Sequence, residues 1–94
     1  ELAPDNYRFR GNLGAALMIA GRLDDAAMHL DQAVAAAPDY PLARRQRGML
    51  HAGFERFPEA ASDLSVAVKH EPNRAENRIA FADALIELGG VLVD

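Results

Sequence analysis

Cysteine is absent from the 94 residues, and aromatic residues make up only 6% of them. Without cysteine there can be no disulfide frame and no thiolate metal site. Cationic side chains are outnumbered, ten against fourteen acidic ones, for a net charge of −4. That balance argues against nucleic acid as the main partner, because phosphate binding draws its affinity from a cationic face and counterion release. No apolar run approaches the roughly 18 residues of a membrane span. No segment alternates with a two-residue period, so no strand is expected.

Catalytic signatures are equally scarce. There is no G-x-S-x-G and no phosphate-binding loop, and Ser62 and Ser65 both fall inside a helical pattern. His29, His51 and His70 form no HxxxH pair, so no zinc site and no cofactor is expected. The adjacent Asp24 and Asp25 are explained by a helix start, where carboxylates oppose the positive end of the dipole.

What the chain does have is alanine and a rhythm. Half of it is apolar, much of that alanine, and Pro4, Pro38 and Pro72 mark a thirty-four-residue period. In the same register return Arg10, Arg44 and Arg78, Gly14 and Gly48, Ala26 and Ala60, Leu30 and Leu64, and Ala33 and Ala67. A self-match at 20–50 residues marks a solenoid of stacked supersecondary units.

Caps, prolines and helical spacing predict five helices joined by turns of two to four residues. The first runs from about Tyr7 to Ala20, with Asp5 and Asn6 as its capping residues, an apolar stripe of Phe9, Leu13, Ala16, Leu17 and Ala20, and Gly21 as its stop. The second starts near Leu23 and ends before Pro38, burying Leu23, Ala26, Ala27, Leu30, Ala33 and Val34. The third spans about Pro41 to Phe54 and the fourth about Pro58 to His70, each opening on a proline at its first turn. Phe54 and Phe57 are expected to pack on each other across the turn between them. The fifth, about Ala75 to Leu88, offers Ile79, Phe81, Ala82, Leu85 and Leu88 for packing and is closed by Gly89-Gly90. Glu1-Leu2-Ala3 reads as the tail of an upstream helix, and the whole as a piece of a longer protein.

The spacing Arg10-x2-Leu13-Gly14-x2-Leu17, then Ala26-x3-Leu30, Ala33 and Pro38, resembles the tetratricopeptide repeat, whose pattern is W-x2-L-G-x2-Y, A-x3-F and P. A second copy reads Arg44-x2-Arg47-Gly48-x2-His51, Ala60-x3-Leu64, Ala67 and Pro72, and a third begins at Arg78-x2-Phe81-Ala82-x2-Leu85. The resemblance implies an all-α, right-handed superhelical α-solenoid of antiparallel helix pairs, with repeats at about 7–40 and 41–74 and a partial third at about 75–94. Within it, Gly14 and Gly48 would sit where the two helices of a repeat touch, facing Ala26 and Ala60. Arginine replaces the large aromatic in all three repeats, its stem lying over the packing and its head reaching solvent or a carboxylate. Arg47 and His51 stand where leucine and tyrosine are usual. An unpaired buried charge is expensive, so Arg47 needs a partner such as Asp63, Glu59 or a residue of the second helix.

The resemblance further implies a non-catalytic scaffold whose first helices line a concave groove for a peptide or partner helix. The residues facing that groove would be Arg8, Asn12, Ala15 and Ile19, then Arg45, Gln46 and Met49, then Glu76, Ile79 and Asp83. Of the basic run Arg44, Arg45 and Arg47, the first and last are read as structural and Arg45 as the ligand contact. Family members that clamp a C-terminal carboxylate use basic residues at places filled here by Gly11, Ala15, Gln46, Glu76 and Ala80, so that use is not expected. Two other readings are self-association through Leu85, Leu88, Val91 and Leu92, which would make a homo-oligomer, and a substrate-holding region of a larger enzyme.

Overall fold

The computed structural model describes residues 6–93, with side chains described through residue 89. The readings of Glu1 to Asp5, and of the Val91 and Leu92 side chains, lie outside the described residues. Five helices and no strand occur among those described: α1 (Asn6–Ile19), α2 (Leu23–Ala36), α3 (Pro41–Gly53), α4 (Phe57–His70) and α5 (Ala75–Val93). Pro41 and Pro58 stand in the first turns of α3 and α4, and Asp24 and Asp25 in the first turn of α2, as the start signals require.

Each helix packs antiparallel on its neighbour in sequence, the arrangement that short turns impose. α1 also touches α3, and α3 touches α5, whereas α2 and α4 do not touch. The first helices of successive units therefore lie side by side while the second helices splay apart, and the chain is an all-α repeat solenoid measuring 47 × 28 × 19 Å.

Two apolar clusters hold the stack. Leu30, Ala33, Val34, Ala43 and Leu50 form one, with Tyr7, Met18 and Tyr40 against it, and Ala60, Leu64 and Ala84 form the other. Gly14 and Gly48 do lie at helix crossings, but leucine rather than alanine meets them. A Cβ on Gly14 would stand 2.6 Å from Leu30 Cγ, and one on Gly48 would stand 2.7 Å from Leu64 Cγ. The nearest atom of Ala26 to that first Cβ is its carbonyl oxygen, at 3.5 Å. The missing glycine Cβ is thus the socket for the leucine of its own repeat, and that leucine continues into the cluster with the next one.

Several expected faces are rotated. On α1 the buried positions are Gly11 and Gly14, while Phe9 is 63% exposed and Ala16 and Ala20 are open to solvent. Tyr40 is the reason, because its ring occupies the space over Gly11 and meets the Tyr7 ring edge-on at 5.1 Å. Leu23 is exposed, and so are Ile79, Ala82 and Leu85 on α5, where Asn77 and Ala84 are buried instead. Phe54 is half exposed, with the Arg56 guanidinium over its ring rather than Phe57.

The ends of α1 and α3 share one closure. Gly21 N–H donates to Met18 O and Arg22 N–H to Leu17 O; one period later Glu55 N–H donates to Ala52 O and Arg56 N–H to His51 O. This pattern needs a left-handed residue. Gly21 supplies it at φ +81°, whereas Glu55 adopts φ +62° with a side chain in place. Gly89 holds the same register, yet α5 runs through Gly89 and Gly90 to Val93.

Candidate partner-binding groove

α3 and α5 lie side by side and present Arg45, Gln46 and Met49 toward Glu76, Ile79, Ala80 and Asp83 across an open depression of about 420 Å³. The i, i+1, i+4 spacing on α3 and the i, i+3, i+4, i+7 spacing on α5 give each helix one face there. Six of the ten residues predicted for the groove meet in this place; the four on α1, Arg8, Asn12, Ala15 and Ile19, do not line it. Met49 and Ile79 are 45% and 62% exposed, an uncovered apolar floor. Asp83 is exposed, as is Glu76, which accepts a hydrogen bond from Arg74 Nη1 at 3.2 Å. That bond, with the nearby Glu71 charge, raises the Arg74 pKa above the ordinary arginine range.

Arg8 and Asn12 are elsewhere. The Arg8 guanidinium lies 5.4 Å from the Tyr7 ring and 5.9 Å from that of Tyr40, beside a separate hollow lined by Pro38 and Pro41. Asn12 is exposed on α1 and lines neither place.

Arg45 corrects the expectation of a free ligand contact. It is buried; its Nη1 donates to Asn77 Oδ1 at 3.1 Å and lies 3.6 Å from Glu71 Oε1. Asn77 is fully buried, and its amide donates to Ala67 O at 3.3 Å and to Glu71 Oε1 at 3.2 Å. Arg45 thereby ties α3 to the end of α4 and the start of α5, and forms a wall of the groove from within. Asn77 was missed in the sequence, although an amide where the earlier repeats place Phe9 and Ala43 was the available signal.

A second recess of about 260 Å³ adjoins the depression, sharing Met49, Ala80 and Asp83 with it. Ala52, Phe57, Leu64 and Ala84 make it apolar, and Glu87 completes its lining. The two form one trough along α5.

The remaining polar cluster lies on the side facing α2 and α4. Asp63, 2% exposed, accepts hydrogen bonds from Arg44 Nη1 at 2.8 Å and from Arg47 Nε and Nη2 at 3.0 and 2.8 Å. Arg47 also reaches Asp31 at 3.2 Å, so of the three partners suggested for it Asp63 and a residue of the second helix are present, and Glu59 is not. Its hydrogen bond to Asp63 raises the Arg47 pKa above the ordinary arginine range despite partial burial. Arg44 Nε donates to Pro38 O, and Arg78 Nη1 to Pro72 O one period later. In the first repeat Arg10 meets His29 and Gln32. Arg44 and Arg78 thus fasten their repeats to the turn before them, whereas Arg10 ties α1 to α2.

Chemically, the arrangement suits recognition. Asp63 is engaged by three hydrogen bonds from two guanidinium groups, and His51 stands 3.7 Å from it. Ser65 Oγ donates to Ser62 O within α4. Among the described residues no three His, Asp or Glu gather as a metal-binding group, and no helix is long and apolar enough to cross a membrane.

A protein-family model described as tetratricopeptide repeat matches residues 1–41 and again residues 20–76. Comparison with curated proteins and with solved structures found no match.

Proposed function

Because the chain belongs to the tetratricopeptide repeat family, whose repeats generally mediate protein–protein interaction, we propose that it is a non-catalytic scaffold that holds a peptide or partner helix in the trough between α3 and α5. One observation carries this reading: Met49 and Ile79 stay uncovered, side by side, on the face where the first helices of two repeats adjoin. Exposed apolar area confined to a concavity and bordered by polar groups is the usual form of a protein-binding site. Gln46, Glu76 and Asp83 supply the polar border, and Arg45 fixes the distance between the two helices rather than meeting the guest.

The experiment is a random-peptide display selection against the chain, followed by binding of the recovered peptides to a Met49→Glu/Ile79→Glu variant. Both residues are exposed, so the variant keeps its core. Recovered peptides that bind the native chain and lose the variant support the trough; peptides indifferent to the substitutions remove it as the working surface.

A second reading, self-association, draws on Leu85 and Ile86, which are 46% and 69% exposed on α5. A mass that rises with concentration in light scattering, and stays monomeric in an Ile86→Lys variant, supports it. A constant monomer mass removes it.

A further inference from the structure

The apolar recess at the α3–α4–α5 junction exists because the second junction of the solenoid is short of side-chain volume compared with the first. One period earlier, the places of Ala52 and Ala84 are taken by Met18 and Leu50. Leu50 is buried in the first apolar cluster and Met18 packs against it. At the second junction two methyl groups stand in their stead, leaving about 260 Å³ open beneath Met49 and Phe57. An apolar hollow of that size gains from receiving one large apolar side chain.

The lining also carries charge of one sign. Asp83 and Glu87, both exposed, stand one turn apart on α5, about 6 Å from each other. Neither has an ion-pair partner among the described residues, whereas Glu71 and Glu76 are both engaged by Arg74. The basic side chains of α3 cannot neutralise them. Arg44 and Arg47 are held by Asp63 on the opposite side, and Arg45 is occupied by Asn77.

We infer that the trough takes a basic, apolar-anchored peptide: an extended segment whose large apolar residue fills the recess and whose lysine or arginine, two positions away, meets Asp83 and Glu87. Alternate residues of an extended chain point the same way and lie roughly 7 Å apart, so a cation two positions from the anchor stays within reach of carboxylates that line the same recess. This rests on the trough being the binding surface and adds the chemistry of the guest.

The test uses fluorescence anisotropy with nine-residue peptides: one with leucine at its centre and arginine two positions to either side, one with glutamate in place of both arginines, and one with alanine in place of leucine. The basic, leucine-bearing peptide is expected to bind at least tenfold more tightly than either control. Asp83→Asn/Glu87→Gln should weaken it about tenfold and flatten its salt dependence. Ala52→Met, which restores the side chain of the first junction, should abolish binding while the melting temperature holds or rises; Ala84→Leu is the independent check from the α5 side. If the acidic peptide binds as well as the basic one and Ala52→Met abolishes both, the charge assignment is overturned while the trough survives. If Ala52→Met and Ala84→Leu leave basic-peptide binding intact, the anchor assignment is overturned. Display-selected peptides lost in Met49→Glu/Ile79→Glu but free of the basic-apolar spacing sink this inference alone. The absence of any trough-dependent peptide sinks both readings.

Discussion

Replacing Asp63 by alanine leaves two guanidinium groups facing a hole. The Arg44 and Arg47 side chains are 17% and 21% exposed, and Asp63 receives three of their hydrogen bonds, two of them as the parallel fork that arginine makes with a carboxylate. Removing one partner of a fully buried pair costs about 3–5 kcal/mol. Here Arg44 keeps Pro38 O and Arg47 keeps Asp31, and both reach some water, so the expected loss is about 2–4 kcal/mol. At roughly 4–8 °C per kcal/mol for a chain of this size, the melting point should fall by about 10–25 °C by circular dichroism, with a matching drop in the urea midpoint. The first repeat solves the same positions with Leu13, Leu17 and His29. The triple change Arg47→Leu/His51→Leu/Asp63→His, which copies that set, should therefore stay within about 1 kcal/mol of the native chain. The Arg47 pKa is raised on folding, so its contribution is full below the ordinary arginine range and fades only as pH rises through the still higher folded value. The deficit of Asp63→Ala should thus be the same at pH 7 and pH 9. A melting point within about 3 °C of native refutes the reasoning.

Glu55→Gly should stabilise by about 1 kcal/mol in a urea titration, because it relieves a left-handed residue that bears a side chain. Gly48→Ala should destabilise by about 1–3 kcal/mol, since its Cβ would meet Leu64 Cγ at 2.7 Å and Asp63 Cβ at 3.2 Å. Gly89→Ala, with nothing within 4 Å, should instead add up to about 1 kcal/mol and raise helical ellipticity. Asn77→Ala should cost about 2–3 kcal/mol, because it leaves Arg45 Nη1 without its buried acceptor, and amide exchange should quicken at the α4–α5 turn.

The positions that sequence reading placed well are those where spacing alone decides. Proline and the thirty-four-residue return locate the helices, and Gly14 and Gly48 mark contacts that a Cβ would prevent. Arg47 is legible as needing a carboxylate or carbonyl partner, because a charge on an inward stripe has few alternatives. Rotation about a helix axis was less so. Helical spacing runs the α1 stripe through Phe9, yet Tyr40 claims the space above Gly11, a pairing set by a residue almost thirty positions away. Arg45 looked free because its acceptor, Asn77, lies thirty-two residues on in a helix that only the fold brings near.

The glycine at the end of the first helix and the pair near the end of the fifth show why local signals fall short. Gly21 permits a left-handed turn, but the turn forms because α2 folds back along α1 and buries Leu30 against Gly14. Glu55 adopts the same conformation without glycine because α4 returns along α3 in the same way, and burying Leu64 is worth about 2 kcal/mol against the roughly 1 kcal/mol of strain. Gly89 holds the same register inside α5, and the helix continues through it at a cost of about 1 kcal/mol relative to alanine. At both turns the docking of the next helix makes the backbone turn, and the residue at the corner sets what that turn costs. The same logic governs the trough. Its walls are placed by the Arg45–Asn77 bond and the Leu64 socket, and its opening follows from two alanines, Ala52 and Ala84, at which the repeat withholds the volume it supplies one period earlier.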